Sequence, residues 1–116
     1  MIAKALAQNT PMIFLDEPTN LLDFQNQIRI LKILCSLVRE KGLLVVMATH
    51  DPNHVLQFAD QVMILHQGGF LKDGAPQKVI TKENIRKVYG VDVLEVKMDS
   101  VIRGILPVGT LEQDNI

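Results

Sequence analysis

The side chains best placed to do chemistry are two adjacent carboxylates, Asp16 and Glu17, and an imidazole, His50. The carboxylates follow a short apolar run, M-I-F-L at 12–15. Neighbouring side chains at a strand end diverge, so one carboxylate can hold Mg²⁺ while the other orients or deprotonates a water. Taken alone, such a pair is more often an acidic turn or a helix anchor. His50 follows a second apolar run, 43–48. If the two runs are adjacent parallel strands, all three groups meet at one sheet edge, where an imidazole can donate to a phosphate oxygen. A lone histidine otherwise packs or caps. His50 and His54 stand four apart, but Asp51 and Pro52 interrupt the continuous helix a zinc-binding pair requires, which argues against a metal there. His66 reads as structural, Met12, Met47, Met63 and Cys35 as core filling, and Lys78, Lys82, Arg86 and Lys87 as a solvated face.

These groups need strands to carry them and helices to cover the strands. Residues 12–15 and 43–48 are fully apolar, the pattern of buried parallel strands. Between them, apolar residues at 24, 28, 31, 35 and 38, with a second stripe at 30, 34 and 37, predict a wide-faced helix over 24–41 that stops at Gly42. Asp23 precedes it as a candidate N-cap. Asp51 and Pro52 open a second helix, as cap and first residue, running to about Ala59. A third strand over 61–66, a turn at 67–69 and a returning strand over 70–74 follow. Two short helices are predicted at 76–80 and 82–89 with Thr81 as the cap between them, then a β-hairpin of 91–98 and 101–108 turning at Asp99 and Ser100. The last residues, 110–116, are expected to fray. Strand and helix alternate as in an α/β fold with a parallel sheet, whose ligands bind at the carboxyl ends of the strands.

Composition bounds the function. The chain has 116 residues, 47% of them apolar and 22% charged, as expected of one globular domain. Twelve basic against thirteen acidic residues give a formal charge of -1, which offers no footprint for nucleic acid or anionic lipid. The longest apolar run is six residues, far short of the ~20 that span a bilayer. The single cysteine forms no intrachain disulfide, and with no secretory apolar region the chain is expected in the reducing cytosol. The opening M-I-A-K-A-L-A-Q-N is rich in helix formers but has no N-cap, so the sequence is expected to start inside a helix, as a truncated chain does.

The string M-I-F-L-D-E-P-T-N-L-L-D (12–23), followed by T-H-D-P (49–52), resembles the ATP-binding subunit of ABC transporters. The first string looks like the Walker B strand with its acidic pair and the following D-loop, and 49–51 look like the switch-histidine segment. F-A-D-Q-V-M-I-L-H-Q-G-G (58–69), D-G-A-P (73–76) and T-K-E-N-I-R-K-V-Y-G-V (81–91) look like the importers of iron chelates, haem or vitamin B12. The resemblance implies the C-terminal portion of a P-loop NTPase domain over 1–116, with 1–75 as the core from Walker B to the switch histidine and 76–116 as C-terminal helices and hairpin. It implies that Asp16 helps hold Mg²⁺, through water, and that Glu17 polarises the attacking water. His50 would contact the γ-phosphate of ATP, and Asp23 would act across a dimer of two nucleotide-binding domains. The implied partners are that second domain and a membrane-spanning permease, which would hold the protein at the inner face of the membrane.

The sequence departs from this family in one large respect. It contains no G-x-x-x-x-G-K-[ST] phosphate loop, no Q-loop and no Leu-Ser-Gly-Gly-Gln signature. Without them the acidic pair and the histidine have nothing to act on, because positioning and charge neutralisation supply most of phosphoryl-transfer catalysis. The chain alone is therefore not expected to hydrolyse ATP. In the family's sheet the phosphate-loop strand lies beside the switch-histidine strand. A gap is thus expected next to 43–48, leaving the isolated chain poorly folded, dimerised or rearranged. Two functions follow: the C-terminal part of an ATPase subunit powering import of an iron chelate, haem or cobalamin-like compound, or a non-catalytic interaction or dimerisation module. A soluble ABC protein of DNA repair or translation fits less well.

Overall fold

A computed structural model describes residues 11–108. The chain divides into two compact units at the step from His50 to Asp51.

In the first unit, strand β1 (Met12–Asp16) pairs in parallel with β2 (Leu44–Ala48), in register from Met12 opposite Leu44 to Asp16 opposite Ala48. Helix α1 (Phe24–Lys41) joins them and lies against β2. Its limits are those the apolar stripes predict. Asp23 caps it by accepting from the Asn26 amide at 2.9 Å, and Gly42 ends it at φ 65°, a left-handed backbone that costs glycine little. Leu31 on the predicted stripe is 2% exposed, and Ile28, Ile30, Leu34, Cys35, Leu37 and Val38 are half-buried around it. The strands differ from expectation in burial. Phe14 is 63% and Met12 45% exposed, and β2 is half-buried rather than enclosed. A parallel strand is enclosed only when both sheet faces are covered, and α1 is the one helix among the described residues of this unit. Among the described residues β2 pairs with β1 alone.

Among the described residues the second unit holds the larger core. Helix α2 (Pro52–Phe58) starts from Asp51, whose carboxylate accepts from the amides of Asn53 and His54 at 3.0 and 3.2 Å. Strand β3 (Val62–His66) forms an antiparallel hairpin with β4 (Gly69–Gly74), one residue earlier on the return than the sequence predicts. Helix α3 (Pro76–Val79) and helix α4 (Lys82–Tyr89) follow, with Thr81 capping α4 by accepting from the Asn84 amide and Gly90 ending it at φ 67°. Strands β5 (Val93–Met98) and β6 (Val101–Pro107) close the unit as an antiparallel hairpin. Its two-residue turn, Asp99 and Ser100, has φ 54° and 65°, the twist that tight hairpins favour. Val55, Leu56, Val79, Ile80, Ile85, Val93, Ile102 and Ile105 form one buried cluster. The parallel component of the fold is thus β1–β2, and β3 pairs with β4. The helix expected at 1–9 and the frayed end at 110–116 lie outside the described residues.

Candidate functional site

The carboxyl ends of β1 and β2 coincide because the pair is parallel and in register. Asp16 is the last residue of β1, opposite Ala48, and its position is exposed. Glu17 extends the ladder by one bond, its amide donating to the Ala48 carbonyl at 2.8 Å. It then leaves the sheet with φ 47°, a left-handed conformation uncommon in a residue with a side chain. That turn sends its carboxylate towards β2's exit, where Glu17 Oε1 lies 2.9 Å from His50 Nε2. The His50 side chain is 84% exposed and that of Glu17 34%. In such open surroundings the contact orients the two groups more than it stabilises the fold. It engages Nε2 of the imidazole and one carboxylate oxygen, while most of the His50 ring stays exposed to solvent.

The segment after Glu17 is held by a succession of main-chain bonds. The Asn20 amide donates to the Glu17 carbonyl at 3.0 Å and the Leu22 amide to the Thr19 carbonyl at 3.2 Å. Thr19 is buried, whereas Leu21, again left-handed at φ 66°, is 96% exposed. The segment ends at Asp23, whose carboxylate caps α1. The structure therefore brings Glu17 and His50 into contact and sets Asp16 one residue away on the same strand end. Asp23 is placed at the far end of the loop, in the capping role that its position also predicts.

Glu17 is engaged by His50 through one oxygen, and Asp16 is the more exposed carboxylate of the pair. Among the described residues no group of three or more His, Cys, Asp or Glu side chains is arranged to hold a metal ion. One carboxylate with water and phosphate oxygens is a common Mg²⁺ environment, and Asp16 suits that role. His54 is buried in α2, with Nε2 3.4 Å from Asp51 Oδ2 and Nδ1 unpartnered. A broad, open concavity runs along α1, lined by Phe24, Ile28, Arg29, Lys32, Ile33 and Leu37 among others, and includes none of Asp16, Glu17 and His50.

Two residues of structural weight escape the motif reading. The Gln27 side chain donates to the Leu22 carbonyl at 3.1 Å, tying α1 back onto the loop that leads from Glu17. Asn53 clips α2 to β6, its Nδ2 donating to the Ile105 carbonyl at 3.2 Å and its Oδ1 accepting the Ile105 amide at 2.7 Å. The Asn53 amide bonds main chain 52 residues away, which leaves no periodic signal, and the Gln27 amide bonds a carbonyl five residues back with no side-chain partner to mark it.

No family model matches the chain. It is 40% identical over 90 residues to the ferric enterobactin transport ATP-binding protein FepC of Escherichia coli K12, which covers 78% of this chain and 33% of that protein. It is 38% identical over 91 residues to the iron(3+)-hydroxamate import ATP-binding protein FhuC of Bacillus subtilis, covering 78% and 34%. It is 41% identical over 80 residues to the hemin import ATP-binding protein HmuV of Bordetella avium, covering 69% and 31%. The chain thus spans about a third of the length of these curated relatives. Among solved structures, a metal-chelate type ABC transporter in an inward-facing conformation superposes with a TM-score of 0.76 at 31% identity, over 95% of this chain and 45% of that one. The ATP-binding cassette MJ0796, dimeric and bound to ADP and Pi, superposes with a TM-score of 0.54 at 36% identity, over 65% and 32%.

Proposed function

Since this chain is a partial ABC transporter ATP-binding protein of the iron-siderophore, haem and metal-chelate import type, we propose that it carries the water-activating half of an ATP-hydrolysing site. In this reading residues 12–23 are the Walker B strand with its acidic pair and the following D-loop, and 49–51 the switch-histidine segment. The core runs over 1–75, and 76–116 supply C-terminal helices and a hairpin. The observation that carries the proposal is the 2.9 Å contact between Glu17 and His50 at the joint carboxyl end of β1 and β2.

Glu17 accepts a proton, or a hydrogen bond, from the attacking water. Its left-handed backbone and its amide bond to Ala48 fix where that carboxylate stands. His50 holds Glu17 at rest and, through the same Nε2, donates to a γ-phosphate oxygen when nucleotide is present. Asp16 would hold Mg²⁺, which would supply charge neutralisation on the phosphates of ATP. Asp23 caps α1 and contributes across a dimer with a second nucleotide-binding domain. The phosphate cradle is absent from this sequence, so ATP and Mg²⁺ belong to the complete domain.

The complete assembly would place this protein at the inner face of the cell membrane, docked on a membrane-spanning permease. Its work would be to couple hydrolysis to import of an iron chelate, haem or cobalamin-like compound. No described helix is long and apolar enough to cross a membrane. The test is ATP turnover by the chain assembled with the missing portion of the domain: Glu17→Gln should abolish turnover and spare ATP binding, and unchanged turnover would overturn the assignment of Glu17.

The second reading, a non-catalytic interaction module, draws on the exposure of Phe14 and Met12 on β1. It requires that the chain bind a transporter component while showing no affinity for ATP and Mg²⁺. Calorimetry with ATP and Mg²⁺, beside a pull-down of the permease, separates the two.

A further inference from the structure

We infer that Gln27 is a positioning residue for the Glu17–His50 pair, acting through the loop that joins β1 to α1. Its side chain donates to the Leu22 carbonyl at 3.1 Å, where the bond is partly shielded from water. Counting from the cap at Asp23, Leu22 is the residue before the cap and Gln27 is the fourth residue of the helix. Those are the two positions at which apolar side chains often pack to fix the angle of entry into a helix. Here a side-chain amide and a main-chain carbonyl do the same work with a directional bond.

The bond matters because of what lies upstream. From Leu22 an unbroken succession of hydrogen bonds runs to the site: Leu22 amide to Thr19 carbonyl, Asn20 amide to Glu17 carbonyl, Glu17 amide to Ala48 carbonyl, and Glu17 carboxylate to His50. Two residues in this loop, Glu17 and Leu21, hold left-handed backbones that are unfavourable for residues with side chains and persist only where surrounding bonds enforce them. Leu21, 96% exposed, contributes no packing of its own. The Gln27 bond ties down the residue that follows that strained step, so releasing it allows Leu21 to relax and the loop to change its exit from the sheet. The consequence for hydrolysis rests on the proposed roles of Glu17 and His50, whereas the positioning itself does not.

The experiment uses the 116-residue chain with Gln27→Met, which keeps length and removes the donor, and Gln25→Met on the exposed neighbouring position as control. Imidazole NMR signals of His50 report its contact with Glu17, and amide hydrogen exchange reports the loop. Gln27→Met should shift the His50 signals and speed exchange at the Leu22 and Asn20 amides by about five-fold, the equivalent of one hydrogen bond, with the melting of the 51–108 unit unchanged. Gln25→Met should do neither. Unaltered His50 signals and loop exchange in Gln27→Met, or the same changes in Gln25→Met, would overturn the assignment. In the assembled ATPase, Gln27→Met should lower kcat with KM for ATP retained. If loop and imidazole respond as stated while Glu17→Gln leaves turnover intact, the positioning role stands and the reading of the site fails.

Discussion

Replacing Asn53 with alanine should destabilise the 51–108 unit by about 2 kcal/mol, from two hydrogen bonds each worth ~1 kcal/mol net. The amide of Asn53 engages both main-chain groups of Ile105, accepting its N–H at 2.7 Å and donating to its carbonyl at 3.2 Å. The Ile105 side chain, 4% exposed, is part of the buried cluster, so the clip fixes α2 against a strand that the core already needs. Water that reaches the vacated groups would hold the loss near 1 kcal/mol, and full desolvation would raise it to about 3 kcal/mol. Asn53→Asp separates the two bonds. It keeps an acceptor for the N–H but turns its second oxygen on the Ile105 carbonyl, so it should still cost about 1 kcal/mol or more. Tyr89 is the single tyrosine and lies in α4, within the same unit, so urea unfolding followed by tyrosine fluorescence reports the relevant transition. A midpoint for Asn53→Ala that corresponds to less than about 0.5 kcal/mol would refute the reasoning.

Four further outcomes are expected. In the assembled ATPase, Glu17→Gln should lower turnover at least ~100-fold, the scale of a lost general base, measured by phosphate release at saturating ATP. Asp23→Ala should destabilise α1 by about 1 kcal/mol while Asp23→Ser retains the cap, measured by hydrogen exchange of the α1 amides. Val79→Ala removes two buried methyl groups from a fully buried site and should cost about 2 kcal/mol in the same tyrosine-monitored unfolding. Phe14→Lys should leave the stability of the first unit within about 0.5 kcal/mol of the parent, since the side chain is 63% exposed. A large loss measured by circular dichroism would mean that this face is covered in solution.

What could be read from the sequence was whatever is decided locally. The limits of α1 follow from stripes spaced at 24, 28 and 31 and from Gly42, and the caps at Asp23, Asp51 and Thr81 need only their own residue and the amides that follow. The meeting of Glu17 and His50 was legible because parallel pairing of two apolar runs leaves one geometry for their ends. Burial of β1 was not legible: M-I-F-L reads as enclosed, but enclosure depends on a second covering layer rather than on the run itself. The left-handed turn at Asp99 and Ser100 carries no glycine, and its position came from the two strands on either side. Gln27 and Asn53 were invisible because a glutamine or asparagine looks the same in sequence whether it faces water or a carbonyl.

The unequal cores of the two units bear on how the chain meets a protease. Eight apolar side chains are buried together between Val55 and Ile105, whereas Leu31 is the one apolar residue buried to that degree among the described residues before Asp51. The free energy of local opening rises with the apolar surface that opening exposes to water, so the described part of the first unit, 11–50, should open more often than the second unit. When opening is fast relative to cleavage, nicking follows the population of the open form. Limited digestion should therefore cut within the segment that bears Glu17 and His50 while a fragment beginning near Asp51 survives. The unit that bears Asp16, Glu17 and His50 would then have the shorter lifetime, unless something binds its exposed strand.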